Sequence, residues 1–250
     1  MKKLTRVEKK RKRRRIIFRL FLLIVIAFSI GIYAINSDFF LIKNITVLGN
    51  NKLSKENIIT AVPINIGENI LRISIKEGEK SLLKLPYIKE IKVKRKFPRD
   101  ILINIVERKE IAQIKRDFSL LLVDEEGYIL DVINEEKEKL PIFHGISVGN
   151  LKAGESLNLS EDIGHNLDFI KEANIIGILT KMDEIYMVDN NNVSIVLNNS
   201  INVAFGTINN VEYKLKLLNE VLKDIEKKQL SCKMILMDKG DNPIIVLNEE

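Results

Sequence analysis

The stretch Ile16–Ile35, IIFRLFLLIVIAFSIGIYAI, decides how the rest of the chain is interpreted. At about 1.5 Å of helical rise per residue it reaches about 30 Å, the thickness of the hydrocarbon core of a bilayer. Arg19 is its one charged residue. It lies one turn inside, where its methylenes can follow the helix and place the guanidinium among lipid phosphates. The stretch therefore predicts a transmembrane helix over residues 16–35.

A cleaved signal peptide is the alternative interpretation of residues 1–29, with Ala27-Phe28-Ser29 as its cleavage site. The apolar region of a signal peptide runs for about 7 to 15 residues. Here the apolar run continues past Ser29 to Ile35, and this greater length favours an uncleaved membrane anchor.

Lysines and arginines crowd the tail of residues 1–15. Residues 1–19 hold eleven basic side chains and one acidic side chain, and those nearest the span are Arg13, Arg14, Arg15 and Arg19. Basic residues beside a span stay in the cytoplasm, so we predict a single-pass type II protein with a cytoplasmic N-terminus. Residues 37–250 carry 29 basic and 33 acidic side chains, about −4. The basic pI thus belongs to the tail, which we expect to contact the membrane surface, and no nucleic-acid partner is predicted.

Residues 39–110 predict a small α+β domain in the order strand, helix, helix, strand, strand. Residues 39–48 mix aromatic and β-branched side chains, which favours a strand. Ser54 is placed to begin a short helix, and Ser74 with Glu77 forms a capping box that begins a second helix.

The second helix is expected to end at Pro86. A hairpin around Pro98 then closes this domain. Apolar residues recur among charged ones on both sides of the turn: Ile88, Ile91 and Val93 before it, and Ile101, Ile103 and Ile105 after it. Such alternation is typical of half-buried strands. We expect the two helices to cover one face of a three-stranded sheet.

Residues 111–250 predict a second, mixed and mainly antiparallel β domain with one long amphipathic helix. Residues 120–123 and 128–132 flank Asp124-Glu125-Glu126-Gly127, which indicates a hairpin. Further strands are predicted at 140–146, 184–188, 193–197, 201–205, 234–237 and 243–247. A helix is predicted within 160–176. The long helix carries an apolar stripe of Val211, Leu215, Leu218, Val221, Leu222 and Ile225.

Several segments resemble the FtsQ/DivIB family of bacterial cell-division proteins. Its POTRA domain is similar to VLGNNKLSKENI (47–58), GENILRISI (67–75) and LPYIKEIKVKRKFPRDILINIVERKEIAQI (85–114). Its second domain is similar to LLVDEEGYIL (121–130) and INVAFGTINNVEYKLKLLNEVL (201–222), with a departure in KMILMDKGDNP (233–243). Outer-membrane assembly factors also carry POTRA domains, but they repeat them and add a barrel. One such domain directly after a basic-flanked span favours FtsQ/DivIB.

The resemblance implies a function at the division septum of the bacterial plasma membrane. Proteins of this family bind the single-span coiled-coil proteins FtsL and DivIC/FtsB, along with other divisome proteins, and help to control septal peptidoglycan synthesis. We therefore expect a non-enzymatic scaffold.

The residues themselves offer little catalytic chemistry. His144 and His165 are 21 residues apart without metal-ligand spacing, and no nucleophile elbow or phosphate-binding loop occurs. Asp124 to Glu126 form a polar turn, and Cys232 is expected to be a small buried side chain. No catalytic residue, cofactor, metal or small-molecule substrate is predicted. A membrane-anchored envelope enzyme, such as a wall hydrolase or transferase, is the alternative.

A partner-binding edge is predicted at the last strand. Its residues are Pro243, Ile244, Ile245, Val246 and Leu247. Pro243 lacks an amide donor, which a sheet edge tolerates. We expect a strand of a partner to add to this edge.

Overall fold

The computed structural model describes residues 6–159, 164–240 and 242–248, and these form two compact units. Unit 1 comprises Met1–Leu83 and Glu90–Val106, and unit 2 comprises Lys84–Lys89 and Glu107–Glu250.

Unit 1 begins with a single long helix, α1 (Arg6–Asn36). It continues through residues 27–29 without interruption. Residues Lys12–Asn36 are long and apolar enough to cross a membrane, and none of the apolar window is buried in the protein.

The rest of unit 1 is a three-stranded sheet with two helices. Its elements are β1 (Asn44–Leu48), α2 (Lys55–Ala61), α3 (Ile75–Leu82), β2 (Ile88–Lys96) and β3 (Asp100–Glu107). The strand order is β1-β3-β2, with β1 parallel to β3. This is the predicted order of elements, and the predicted fold class is confirmed.

The ends of these elements follow from local hydrogen bonds. Ser54 Oγ accepts from the Asn57 amide at 3.1 Å, and Ser74 Oγ accepts from the Glu77 amide at 3.3 Å, so both predicted caps start helices. α3 ends at Leu82, short of the predicted Pro86.

The predicted strand over residues 39–48 is wrong in its first half. Asp38–Phe40 form a 3₁₀ turn because Ser37 Oγ accepts from the Phe39 amide at 3.2 Å. β1 begins only at Asn44.

Unit 2 is built on a nine-stranded sheet in the order β12-β11-β10-β9-β8-β7-β4-β5-β6. Its strands are β4 (Ala112–Arg116), β5 (Ser119–Val123), β6 (Ile129–Ile133), β7 (Ile142–His144), β8 (Met182–Asp189), β9 (Asn192–Leu197), β10 (Asn202–Gly206), β11 (Cys232–Leu236) and β12 (Ile244–Leu247). β4 with β7, β7 with β8 and β10 with β11 are parallel, and the other pairs are antiparallel. The sheet is therefore mixed and mainly antiparallel, as predicted.

Two helices, α4 (Gly164–Ile176) and α5 (Val211–Lys228), supply apolar side chains to the core of unit 2. Residues 160–163 of the predicted helix lie outside the described residues. Leu215, Leu218, Leu222 and Ile225 of the predicted stripe are buried. Phe169 of α4 packs edge-on against Phe143 and Phe205, with ring centroids 6.1 and 5.4 Å apart. The stripe on α5 thus faces the core, as its spacing indicates.

The sequence did not identify β4 as a separate strand. Its central Gln113 is fully buried, which is unusual for a polar side chain. Its Nε2 donates to the carbonyls of Lys137 and Leu140 at 2.9 Å, and its Oε1 accepts from the Lys137 amide at 2.7 Å. The Gln113 side chain therefore supplies hydrogen-bond partners to backbone groups of the loop at 137–140. A hydrophobic pattern does not indicate this role.

Candidate functional site

The predicted partner-binding residues lie at one end of the nine-stranded sheet. β12 pairs antiparallel with β11, and the described residues place no strand on its other side. Pro243 precedes it and is half-buried. Ile245 packs against the core, whereas Ile244, Val246 and Leu247 are 49%, 38% and 49% exposed. β12 is therefore an edge strand that presents apolar side chains to solvent.

The strand register extends this apolar surface inward across the sheet. Leu236 pairs with Ile244 and Met234 with Val246, and Ala204 of β10 pairs with Leu236 in turn. Directly paired residues share a face of the sheet. Ala204, Met234 and Leu236 are each partly exposed. We call Ala204, Met234, Leu236, Ile244 and Val246 the edge row.

The sequence predicted Ile244 and Val246 as binding residues, but it did not predict Ala204, Met234 and Leu236 as part of the same surface. Met234, Ile235 and Leu236 are consecutive apolar residues, and only Ile235 of the three is fully buried. A strand that is apolar on both faces signals that a second face is covered by something. That signal was available in the sequence.

A polar recess of about 530 Å³ opens beside Pro243. Lys214 lines it, and burial lowers the pKa of this lysine. A lysine with a lowered pKa in a recess can mark a reactive group. Here, however, Nζ donates to the carbonyls of Phe205 and Thr207 and lies 4.3 Å from the Phe205 ring centroid. These bonds hold Lys214 against the end of β10, so it fixes the backbone there.

The acidic turn after β5 is a structural ion-pair network. Asp124 is buried, and its Oδ2 accepts from Arg108 Nη1 at 2.5 Å. Its Oδ1 accepts from the amides of Glu126 and Tyr128 at 2.9 and 2.8 Å. Both carboxylate oxygens are therefore used within the fold, which does not favour an acid pair for catalysis.

Glu126 completes this network. It accepts from Arg108 Nη1 at 2.7 Å and lies 3.0 Å from Lys89 Nζ. Hydrogen bonds from Arg108 and then Lys89 lower the pKa of Glu126. Arg108 thus brings together two separate segments that resemble the family, 85–114 and 121–130.

The remaining reactive candidates are dispersed. His144 stacks on Tyr186, with ring centroids 4.5 Å apart, and its Nε2 lies 3.6 Å from Glu184 Oε2. Tyr186 donates to Glu184, and this hydrogen bond raises the pKa of Tyr186. His165 is exposed on α4, and no group of three or more metal-ligating side chains occurs among the described residues.

Cys232 is buried at the start of β11. Burial raises the pKa of its thiol, which disfavours the reactive thiolate. This matches the expectation of a small buried side chain. Arg13, Arg14, Arg15 and Arg19 are all exposed on α1.

Two family models match the chain. The FtsQ-type POTRA domain matches residues 40–108, and the C-terminal domain of the cell division protein FtsQ/DivIB matches residues 112–237.

Curated relatives carry the same description. Cell division protein DivIB of Clostridium botulinum (strain Loch Maree) is 27% identical over 252 residues, covering 98% of this chain and 95% of that protein. DivIB of Clostridium tetani is 28% identical over 207 residues, covering 81% of this chain and 72% of that protein. Among solved structures, the major extracytoplasmic domain of DivIB from Geobacillus stearothermophilus matches at 18% identity and a TM-score of 0.31, covering 48% of this chain and 96% of that one.

Proposed function

Because the chain belongs to the FtsQ/DivIB family of cell division proteins, we propose that it is a non-enzymatic scaffold of the divisome. It binds single-span coiled-coil proteins of the FtsL and DivIC/FtsB type at the septum and helps to control septal peptidoglycan synthesis. The family model over residues 112–237 is that of a cell division protein, which supports a role in division.

The open edge of β12 is the observation that carries this proposal. An extended segment of a partner can add to an edge strand, where backbone hydrogen bonds provide affinity and side-chain contacts provide specificity. The exposed apolar side chains Ile244 and Val246 supply such contacts at the edge itself. Met234 and Leu236 continue them onto β11. A partner strand beside β12 would pair with its open backbone edge and pack side chains against Ile244 and Val246.

The N-terminal helix supports a membrane tether. We propose that α1 crosses the plasma membrane with the N-terminus in the cytoplasm, that residues 39–110 form the POTRA domain and that residues 111–250 carry the binding edge. A tether in the same membrane as the partners raises their effective concentration at the edge. A modest affinity per edge is then sufficient for assembly.

Val246→Lys tests the edge directly. Lysine on an edge strand opposes strand addition, so we expect the affinity of the full chain in nanodiscs for its FtsL and DivIC partners to fall at least about tenfold, which is about 1.4 kcal/mol. Val188→Lys is the matched control, since Val188 is 78% exposed on β8, an interior strand of the same sheet. It should bind normally.

Deleting residues 243–250 provides the second variant. If this truncated protein remained folded and bound both partners with unchanged affinity, the edge proposal would be overturned. The septal role is tested separately by imaging a fluorescent fusion in dividing cells. Midcell enrichment that requires the ectodomain is expected, and a uniform membrane signal would contradict it.

A further inference from the structure

The outer end of α1 is held by the α+β domain that follows it. Asn69 is only 7% exposed, and its Nδ2 donates to the carbonyls of Ile35 at 2.9 Å and Ala34 at 3.2 Å. Arg72 Nη2 donates to Asn36 Oδ1 at 2.7 Å. The last carbonyls of a helix lack partners within the helix, and Asn69 supplies donors to them. The loop around Asn69 is therefore fixed at the end of the apolar run.

Two backbone segments form this attachment. The Ile70 amide donates to the Phe40 carbonyl and the Ile42 amide to the Glu68 carbonyl, both at 2.8 Å. These segments carry three exposed apolar side chains: Phe39 at 54%, Ile66 at 67% and Leu71 at 37% exposure. We call these three residues the collar. Single exposed apolar residues are ordinary, but these lie on segments bonded to the end of a helix that is itself apolar and uncovered.

Basic charge accompanies the collar. Arg99 Nε donates to the Phe39 carbonyl at 3.0 Å, and its guanidinium lies 5.3 Å from the Phe39 ring centroid. Residues 40–108 hold 14 lysines and arginines against 7 acidic residues, whereas residues 109–250 hold 15 against 25. The part of the chain that adjoins the span is thus net basic, and the part beyond it is net acidic.

We propose that the collar is inserted in the interfacial region of the outer leaflet, with Arg72 and Arg99 on the phosphates of anionic lipids. The proposal rests on α1 spanning the membrane, as in the proposed function. The lipids that surround α1 then also contact the collar. Apolar side chains flanked by arginines suit the boundary between acyl chains and headgroups. This contact fixes the height of the POTRA domain at the bilayer surface.

Single-tryptophan fluorescence tests the collar, because the chain contains no tryptophan. Ile66→Trp is the probe and Leu48→Trp is the matched control. Leu48 is 50% exposed in the same unit but lies at the far end of β1, about 13 Å along the strand from Asn44. Tyr33→Trp reports on α1 itself. Each full-length variant is reconstituted in phosphatidylcholine vesicles, with and without phosphatidylglycerol, that contain brominated lipid.

We expect the Ile66→Trp emission to be shifted to the blue and quenched by brominated lipid, more strongly with phosphatidylglycerol, while the Leu48→Trp emission is unaffected. Quenching of Tyr33→Trp without quenching of Ile66→Trp would overturn the collar and leave the membrane tether intact. If Tyr33→Trp were also unquenched, the tether itself would fail and the collar with it. Equal Ile66→Trp quenching in both lipid mixtures would overturn the role of the arginines.

Discussion

The two edges of the nine-stranded sheet differ in how far other parts of the chain cover them. At β6, the Ile129 amide donates to the Glu155 carbonyl and its carbonyl accepts from the Gly154 amide, both at 2.9 Å, so a loop covers the start of this edge. Ile129 and Leu130 are buried. At β12, three of four side chains are exposed, and the described residues place no strand on the outer side. Unprotected edges invite strand addition, so this difference supports the proposal that a partner strand pairs with β12.

Arg108 holds the turn that leads into the covered edge, through Asp124 and Glu126, and removing this side chain should have the largest effect. Arg108→Ala leaves Asp124, whose side chain is 3% exposed, without its ion-pair partner. Breaking a buried pair in this way costs about 3–5 kcal/mol. We expect the free energy of unfolding of the full chain, measured by urea titration in detergent, to fall by that amount.

Hydrogen exchange shows whether that loss is local to the covered edge. The Ile129 and Gly154 amides should exchange faster in Arg108→Ala, while amides of β10 and β11 change less. Uniformly faster exchange would mean that Arg108 stabilises unit 2 as a whole. Unchanged stability would contradict the assigned role of the ion pair.

A matched pair of isoleucines compares the two edges with one chemical change. Ile129→Ala removes a fully buried side chain from the covered edge and should cost about 2–5 kcal/mol. Ile244→Ala, at 49% exposure on the open edge, should change stability by less than about 0.5 kcal/mol and lower partner affinity instead. Equal destabilisation by the two would show that the edges do not differ.

The smallest expected effect is the pH dependence of the covered edge. The pKa of Glu126 is lowered in the folded protein by Arg108 and Lys89. Its contribution is therefore fully present above the ordinary pKa near 4.5 and is lost as the pH falls through the lower folded value. Because the Glu126 side chain is 50% exposed, this contribution is at most about 1 kcal/mol.

Glu126→Gln should lower the free energy of unfolding at neutral pH by at most about 1 kcal/mol and flatten the acid side of the stability profile, so that the variant and the natural protein converge as the pH falls through the lowered pKa. High salt should reduce the difference from the natural protein. An identical acid profile in the variant would contradict the contribution of Glu126.

The sequence predicted those features that depend on neighbouring residues along the chain. Helix caps at Ser54 and Ser74, the stripe on α5 and the turn at Gly127 each arise from local spacing, and Gly127 has the positive φ of 75° that its turn requires. The alignment of the edge row across β10, β11 and β12, the Arg108 to Asp124 pair and the bonding of the buried Gln113 depend on strand order and register. These place residues together that are distant in sequence, and no local pattern encodes them.

The thiol of Cys232 can report on movement of the open edge. It is the single thiol of the chain, it lies opposite Leu247 in the register of β11 and β12, and it is buried. Because Leu247 of β12 pairs with Cys232, detachment of β12 should make the thiol easier to modify. A partner that clamps this strand should then slow thiol modification, and no added label is needed to measure it.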